Sequence, residues 1–202
     1  KHSFIWYDQY INKRDFKPDI IIRLGDKPTS DKLNEYINKN KDITYLIDTH
    51  MHNDDAKYFL QSDLDSLTKI KYKEKSSSSF YSTLKKHEDK NSNKVQSLIS
   101  TYNTQAKLIN NVLEKLNNYN LFIGSSTILR SFENYSGYTK NTNIYSNSIT
   151  RGIDGITSSA LGMAYFKKKN NHLFIGDISI FYDMAAFHVL NNLNINLSIY
   201  VI

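Results

Sequence analysis

The sequence predicts an α/β protein: a doubly wound, mostly parallel sheet in the C-terminal half, preceded by part of a second α/β domain. Three observations predict it. Short β-branched or apolar runs, such as Ile20-Ile21-Ile22 and Leu173-Phe174-Ile175, alternate with segments of helical apolar spacing. Runs this apolar suit strands covered on both faces, as parallel sheets are. Several of them close on Gly followed by turn and cap residues, the pattern of a strand feeding a helix: Leu24-Gly25-Asp26, Ile123-Gly124-Ser125-Ser126 and Ile175-Gly176-Asp177.

Bulk composition narrows the class. Of the 202 residues, 40% are hydrophobic, enough for one domain or two modest ones. The chain has no Cys, so it has no disulfide framework and no thiolate metal site. That fits a reducing compartment, and a cytoplasmic location is expected. The net charge of +6 comes from lysines scattered among asparagines. A nucleic-acid footprint needs basic residues clustered on one face, so no nucleic acid is expected as a partner. No apolar run approaches the roughly 20 residues of a membrane span, and no charged-then-apolar leader opens the chain. Position 1 is Lys and the chain stops inside an apolar run, so both ends read as cut.

In the first third, Trp6 to Phe16 reads as a helical turn and a loop. Asp19 to Leu24 is a buried strand closed by Gly25, and Asp26 to Ser30 supplies turn and cap residues. A helix with Leu33, Tyr36 and Ile37 follows, then a second buried strand, Ile43 to Ile47. Strand, helix, strand at this length is a right-handed parallel crossover. Asp48-Thr49-His50-Met51-His52-Asn53-Asp54-Asp55 carries a His-x-His at a strand end and resembles the opening motif of the amidohydrolase barrels. Alternate strand residues face one way, so His50 and His52 could share an ion. Such a barrel needs about 250 residues, and a βαβ unit precedes this motif, so a polar loop is the preferred reading. Lys57 to Gln61 reads as a short edge strand, and Ser62 or Asp63 as the cap of a helix with Leu64, Leu67 and Ile70.

Lys71 to Ser79, with four consecutive serines, reads as a linker leading into a polar helix over Tyr81 to Tyr102. Domain boundaries are therefore expected as 1–70, a helical linker at 71–103, and a doubly wound domain at 104–202. Thr104 caps a helix carrying Ala106, Leu108, Ile109, Val112, Leu113 and Leu116. Tyr119 to Ile123 is a strand ending at Gly124-Ser125-Ser126-Thr127. Strand ends of this kind bind ligands in α/β sheets, and Ser125 and Ser126 suit either an anion or a plain helix cap. Asn143 to Tyr145 is a strand, Asn147 to Gly155 a loop, and Ile156 to Phe166 a helix. Its small residues Ser158, Ser159, Ala160, Gly162 and Ala164 are expected to allow close packing on the sheet. His172 to Ile175 is a strand, Gly176-Asp177 a turn, Asp183 to Leu190 a helix and Ile195 to Ile202 a strand.

One run of motifs carries a resemblance. Arg151-Gly152-Ile153-Asp154-Gly155-Ile156-Thr157-Ser158-Ser159-Ala160-Leu161-Gly162-Met163-Ala164, then Gly176-Asp177-Ile178-Ser179, then Tyr182-Asp183, closely resemble the menaquinone-pathway synthases of the thiamine diphosphate superfamily. Leu121 to Arg130 is similar to the substrate-binding strand and turn of that family, and Pro18 to Ser30 to the last crossover of its central domain. The resemblance implies a thiamine diphosphate-binding fold with Mg²⁺ or Mn²⁺. It implies a transferase that joins 2-oxoglutarate, with loss of CO₂, to isochorismate, the cofactor supplying the electron sink. It also implies a homo-oligomer for the intact enzyme. By position it implies Asp177 as metal ligand. Gly176, Ile178 and Ser179 would lie near the diphosphate, and Gly152, Ile153 and Asp154 against the cofactor, with Ile153 propping its bent form. Ser126, Arg130 and Arg151 would hold substrate carboxylates, a task suited to a guanidinium fork.

Three positions depart from the family pattern: Ser125 stands where Asn is usual, Ser148-Ile149 follow Asn147 where Arg-Gly is usual, and Ala185 stands where Asn is common. Reduced or altered activity is the expectation. The activating glutamate and a second metal ligand are implied to lie outside these residues, so the chain alone is expected to be inactive and to bind cofactor weakly. Two other readings remain open at this point: another thiamine-dependent oxo-acid decarboxylase or synthase, and a non-catalytic α/β module.

Overall fold

The computed structural model describes residues 3–13, 16–50, 54–69, 79–136, 142–147, 152–167, 170–191 and 193–202. Two compact units divide the chain, Lys1–Val95 and Gln96–Ile202. Among the described residues, no helix is long and apolar enough to cross a membrane.

The first unit holds a three-stranded parallel sheet in the order β1 (Ile21–Leu24), β2 (Thr44–Asp48), β3 (Tyr58–Gln61). Helix α1 (Asp31–Lys39) makes the crossover from β1 to β2. It starts at Ser30, whose hydroxyl accepts the Leu33 N–H at 3.1 Å. A short helix, α2 (Leu64–Thr68), follows β3, capped by Asp63 rather than Ser62: its Oδ1 accepts the Ser66 N–H at 2.6 Å. Alternation along the strands decides what is buried. Leu46 and Thr44 point inward, while Ile22, Leu24, Tyr45, Tyr58 and Leu60 are exposed. Arg23 is also inward, 8% exposed, and forms a 2.7 Å ion pair with Asp54, whose side chain is 6% exposed.

The polar helix expected from Tyr81 is α3 (Ser79–Thr101). Its Glu88 is buried and binds the start of the chain, accepting the Ile5 N–H at 2.6 Å, the Trp6 N–H at 3.0 Å and the Tyr10 hydroxyl at 2.9 Å. Burial, reinforced by the Glu88 hydrogen bond and charge, pushes the Tyr10 hydroxyl above the usual phenol range. Tyr10, Ile11 and Phe16 form an apolar cluster here, with Tyr36, Phe80 and Leu84 against it.

The second unit is doubly wound. Helix α4 (Gln105–Leu113), capped by Thr104, leads to β4 (Tyr119–Ile123). Then come α5 (Thr127–Tyr135), β5 (Asn143–Tyr145), α6 (Ile156–Phe166), β6 (Asn170–Ile175), α7 (Asp177–Phe181), a 3₁₀ segment (Met184–Asn191) and β7 (Ser198–Val201). The four strands pair in parallel in the order β5-β4-β6-β7. Ile109, Leu113, Leu121, Ile123, Ile128, Phe132 and Phe174 fill one face; Phe122, Ile156, Ala160, Leu173 and Ile175 fill the other. All five residues of β4 are buried, as a central strand requires.

At the amino ends of these strands lies a ladder of buried amides. Asn143 Nδ2 donates to Asn120 Oδ1 at 3.0 Å, and Asn120 Nδ2 donates to Asn171 Oδ1 at 2.9 Å. Asn171 Nδ2 donates onward to the Lys167 carbonyl at 2.8 Å and the Asn196 carbonyl at 3.0 Å. Asn120 and Asn171 are each 1% exposed. A buried amide network of this kind is tolerated because its polar atoms find partners, and it then fixes register.

Local expectations change in this unit; β6, for one, begins at Asn170 rather than His172. The turn expected at Gly176-Asp177 runs straight into the short α7, and the helix expected over Asp183 to Leu190 is a 3₁₀ run, Met184–Asn191, with the Asp183 carbonyl accepting the Ala186 N–H at 3.1 Å. Within α6, Ala160 and Ala164 are buried against the sheet but Gly162 and Ser158 face outward, so the close packing rests on the alanines.

Candidate functional site

β4 and β6 are neighbours whose following chains diverge: α5 leads from β4 to β5 on one side, and α7 leads from β6 toward β7 on the other. Such a divergence marks a topological switch point, the place where open α/β sheets bind ligands. The two ends touch through backbone. The Gly124 N–H donates to the Phe174 carbonyl at 2.8 Å, and a Cβ on Gly124 would lie 3.1 Å from that oxygen. Only glycine allows this approach without a shift. The paired register ends with Ile123 opposite Phe174, and the Ser125-Ser126 and Gly176-Asp177 turns leave from the carboxyl ends of these neighbouring strands.

Ser126 stands at the start of α5 with φ 78° and ψ −143°, a conformation rare outside glycine. Its hydroxyl does not cap the helix. It is exposed, as is Arg130, four residues further along in α5. Ser125 is buried, and its Oγ has no hydrogen-bond partner among the described residues. The same holds for Thr157 Oγ1 in the first turn of α6. The usual penalty for such orphan hydroxyls is about 1–3 kcal/mol each.

The turn before α6 holds Gly152 and Ile153, both half-buried, and Asp154, exposed. A Cβ on Gly152 would stand 2.6 Å from Asp154 Oδ1, so glycine leaves room for that carboxylate. Asn147, in the loop after β5, donates from Nδ2 to the Ser159 hydroxyl of α6 at 3.1 Å. Arg151 and Ser148 lie outside the described residues.

After β6, Gly176 precedes Asp177, whose N–H donates to the Ile202 carbonyl at 3.2 Å. The Asp177 carboxylate is exposed and accepts its neighbour Ile178 N–H through Oδ1 at 2.8 Å. Ile178 is exposed, and Ser179 is buried with its Oγ toward Gly176. Among the described residues, no three His, Cys, Asp or Glu side chains gather as a metal-holding group. His50 engages Thr49 Oγ1 through Nδ1 at 2.8 Å, and His52 lies outside the described residues. A groove of about 730 Å³ between α4 and β7, lined by Leu108, Val112, Leu116, Tyr200 and Ile202 among others, holds none of the predicted site residues.

Sequence reasoning missed two residues. Asp54 was read as part of a polar loop and is the buried partner of Arg23. Asp183 was read as the start of a helix, yet its carboxylate accepts the Ser158 N–H at 2.6 Å and the Ser158 hydroxyl at 2.9 Å, at the first turn of α6. The available signal was a helix start with glycine at its cap position, which leaves its donors in need of an acceptor from elsewhere.

No family model matches the chain. Curated relatives do. A 2-succinyl-5-enolpyruvyl-6-hydroxy-3-cyclohexene-1-carboxylate synthase of Leuconostoc mesenteroides is 27% identical over 193 residues, covering 93% of this chain and 34% of the relative. The synthase of the same name from Staphylococcus aureus is 28% identical over 200 residues, covering 91% and 34%. That of Lysinibacillus sphaericus is 24% identical over 212 residues, covering 96% and 36%. The chain spans about a third of the length of the curated relatives it matches. Along nearly all of its own length it is thus similar to one part of the 2-succinyl-5-enolpyruvyl-6-hydroxy-3-cyclohexene-1-carboxylate synthases, as a partial and divergent relative of them.

Proposed function

We propose that this chain supplies the diphosphate-holding part of a thiamine diphosphate-dependent synthase that joins decarboxylated 2-oxoglutarate to isochorismate. What supports the proposal is that the glycine-closed ends of the neighbouring strands β4 and β6 meet through the Gly124 N–H and the Phe174 carbonyl, in a chain similar to such a synthase. The residues there suit the group. Asp177 offers an exposed carboxylate that would hold Mg²⁺ or Mn²⁺ beside a bound diphosphate. Gly152, Ile153 and Asp154, with Gly176, Ile178 and Ser179, line the two turns that would face the cofactor. The unpaired hydroxyls of Ser125 and Thr157 are further acceptors or donors at the same strand and helix ends. Ser126 and Arg130 suit a substrate carboxylate, the guanidinium giving a bidentate grip; Arg151 is proposed to join them.

Thiamine diphosphate, when bound, would supply the electron sink for decarboxylation and carbon–carbon bond formation. This chain's own work would be to fix the diphosphate through Asp177, to prop the cofactor with Ile153 and to orient the acid through Arg130. The acid that activates the cofactor is assigned to another part of the intact, oligomeric protein.

The test uses the 202-residue chain with thiamine diphosphate and Mg²⁺, following backbone amide resonances. Mg²⁺-dependent shifts confined to Gly152–Gly155 and Gly176–Ser179, weak in affinity and lost in Asp177→Ala, are expected. Shifts that avoid these turns together with the Ser125 and Thr157 amides beside them, or shifts that ignore Mg²⁺, overturn the assignment. The chain alone is expected to show no turnover of 2-oxoglutarate with isochorismate. A second reading, a non-catalytic module of the same fold, draws on Ser125 and Ala185 departing from the family pattern; turnover by the intact protein would exclude it.

A further inference from the structure

Helix α6 begins without a cap of its own. Its N-cap position is Gly155, at φ +65°, with no side chain to accept the first-turn amides. The acceptor comes from Asp183, 25 residues further along, which takes both the N–H and the hydroxyl of Ser158. A carboxylate in this position makes charge-assisted bonds and meets the positive end of the helix dipole. Asp183 also opens the 3₁₀ run, its carbonyl accepting the Ala186 N–H. Much of the segment it belongs to is exposed: Ile178, Phe181, Tyr182 and Met184 are 63%, 71%, 64% and 51% exposed, while Ser179 and Ala186 are buried and Ile180 packs on the core. Segments with few buried contacts open locally unless something tethers them.

We propose that Asp183 is a positioning residue whose carboxylate straps residues 177–191 to the start of α6. It thereby fixes the Gly176-Asp177 turn relative to the Gly152–Gly155 turn. The functional meaning rests on reading those two turns as the cofactor's cradle; the strap itself is testable without cofactor.

The experiment is amide hydrogen exchange on the 202-residue chain. Asp183→Ala is expected to speed exchange on the order of ten-fold at Ser158 and across 177–191, with β4 and β6 amides unchanged. Ser158→Ala, which keeps the backbone bond and loses the hydroxyl's, gives a smaller rise in the same segment. Asp183→Asn, which keeps one acceptor, restores part of the protection. No change across 177–191, or an equal rise throughout the second unit, overturns the strap. If Asp183→Ala does not fold, the other two variants decide: a rise confined to 177–191 supports the strap, and an unchanged segment sinks it. Failure of the wild-type chain to bind thiamine diphosphate leaves these exchange rates untouched and counts against the proposed function alone.

Discussion

The two parallel sheets of this chain differ in how they are covered and in what polar group each one buries. In the first unit, Ile22, Leu24, Tyr45, Tyr58 and Leu60 are 57%, 52%, 37%, 39% and 52% exposed, and the inward side holds the Arg23–Asp54 ion pair. In the second unit, apolar clusters cover both faces, and the buried polar group is the neutral ladder of Asn143, Asn120 and Asn171. A half-covered sheet gains less from burial, about 25 cal/mol per Å² of apolar surface, so stranding one charge of its buried Arg23–Asp54 pair removes a larger share of its stability. An amide ladder has no charge to strand, and its cost on breakage is that of orphaned hydrogen-bonding groups.

Breaking the ion pair from one side should have the largest effect. Arg23→Ala leaves the Asp54 carboxylate buried, and the expected loss is about 3–5 kcal/mol. Denaturant-dependent hydrogen exchange, read separately for each unit, should show the loss in the first and not the second. An equal loss in both units would erase the contrast. Next, Asn171→Ala removes the acceptor for Asn120 and should cost about 1–3 kcal/mol in the second unit. A cost near zero would mean that the ladder is spectator chemistry.

Acid should separate the units as well. Burial alone would raise the Asp54 carboxyl, but its hydrogen bonds to Arg23 and Ala56 and the charges of Arg23 and Lys27 outweigh this and hold it below the usual range. A carboxylate depressed on folding contributes stability above its unfolded pKa, about 3.9, which is lost as pH falls through the folded value. In the second unit, burial lowers the His172 imidazole; its Nδ1 is 3.2 Å from the Tyr200 hydroxyl and its Nε2 is unpaired. Its neutral form is favoured on folding, so stability is full above its unfolded pKa, about 6.5, and declines as pH falls below that. The second unit should therefore begin to weaken at a milder acidity than the first. His172→Gln should flatten its slope between pH 6.5 and 5 in a thermal-melt series. A slope that survives the substitution would assign it elsewhere.

The smallest expected effect is a gain. Ser126→Gly relieves the strained φ of 78° and should stabilise the second unit by about 1 kcal/mol. If Ser126 also grips a substrate carboxylate, the same variant should weaken that grip in the intact protein. A melt unchanged by Ser126→Gly would show that the turn carries no strain.

Much of this fold is legible in the residues because its signals are local. Tyr119 to Ile123, the caps Ser30 and Thr104, and the glycine-closed strand ends all announce themselves within a few positions. What escapes is held by partners far apart. The ladder joins Asn120 to Asn171 across 51 positions, and asparagine argues against a strand locally, so β6 was expected to begin at His172 when it begins at Asn170. Glu88 reaches back 83 positions to Ile5. In the candidate site, the strand order places the turns after β4 and β6 at the ends of neighbouring strands. The strain at Ser126 and the tether from Asp183 are properties of backbone angle and long-range contact, which no local pattern encodes.

The amide ladder has one further consequence. It keys strand alignment at the amino edge of the sheet, while the turns that would meet a ligand all leave from the opposite edge. The scaffold and its working rim are thereby modular. Substitutions at the rim, at Ser125 or Ala185 for example, can accumulate without shifting the frame that carries it, and transplanting a whole rim turn from a relative into this sheet should leave its alignment intact.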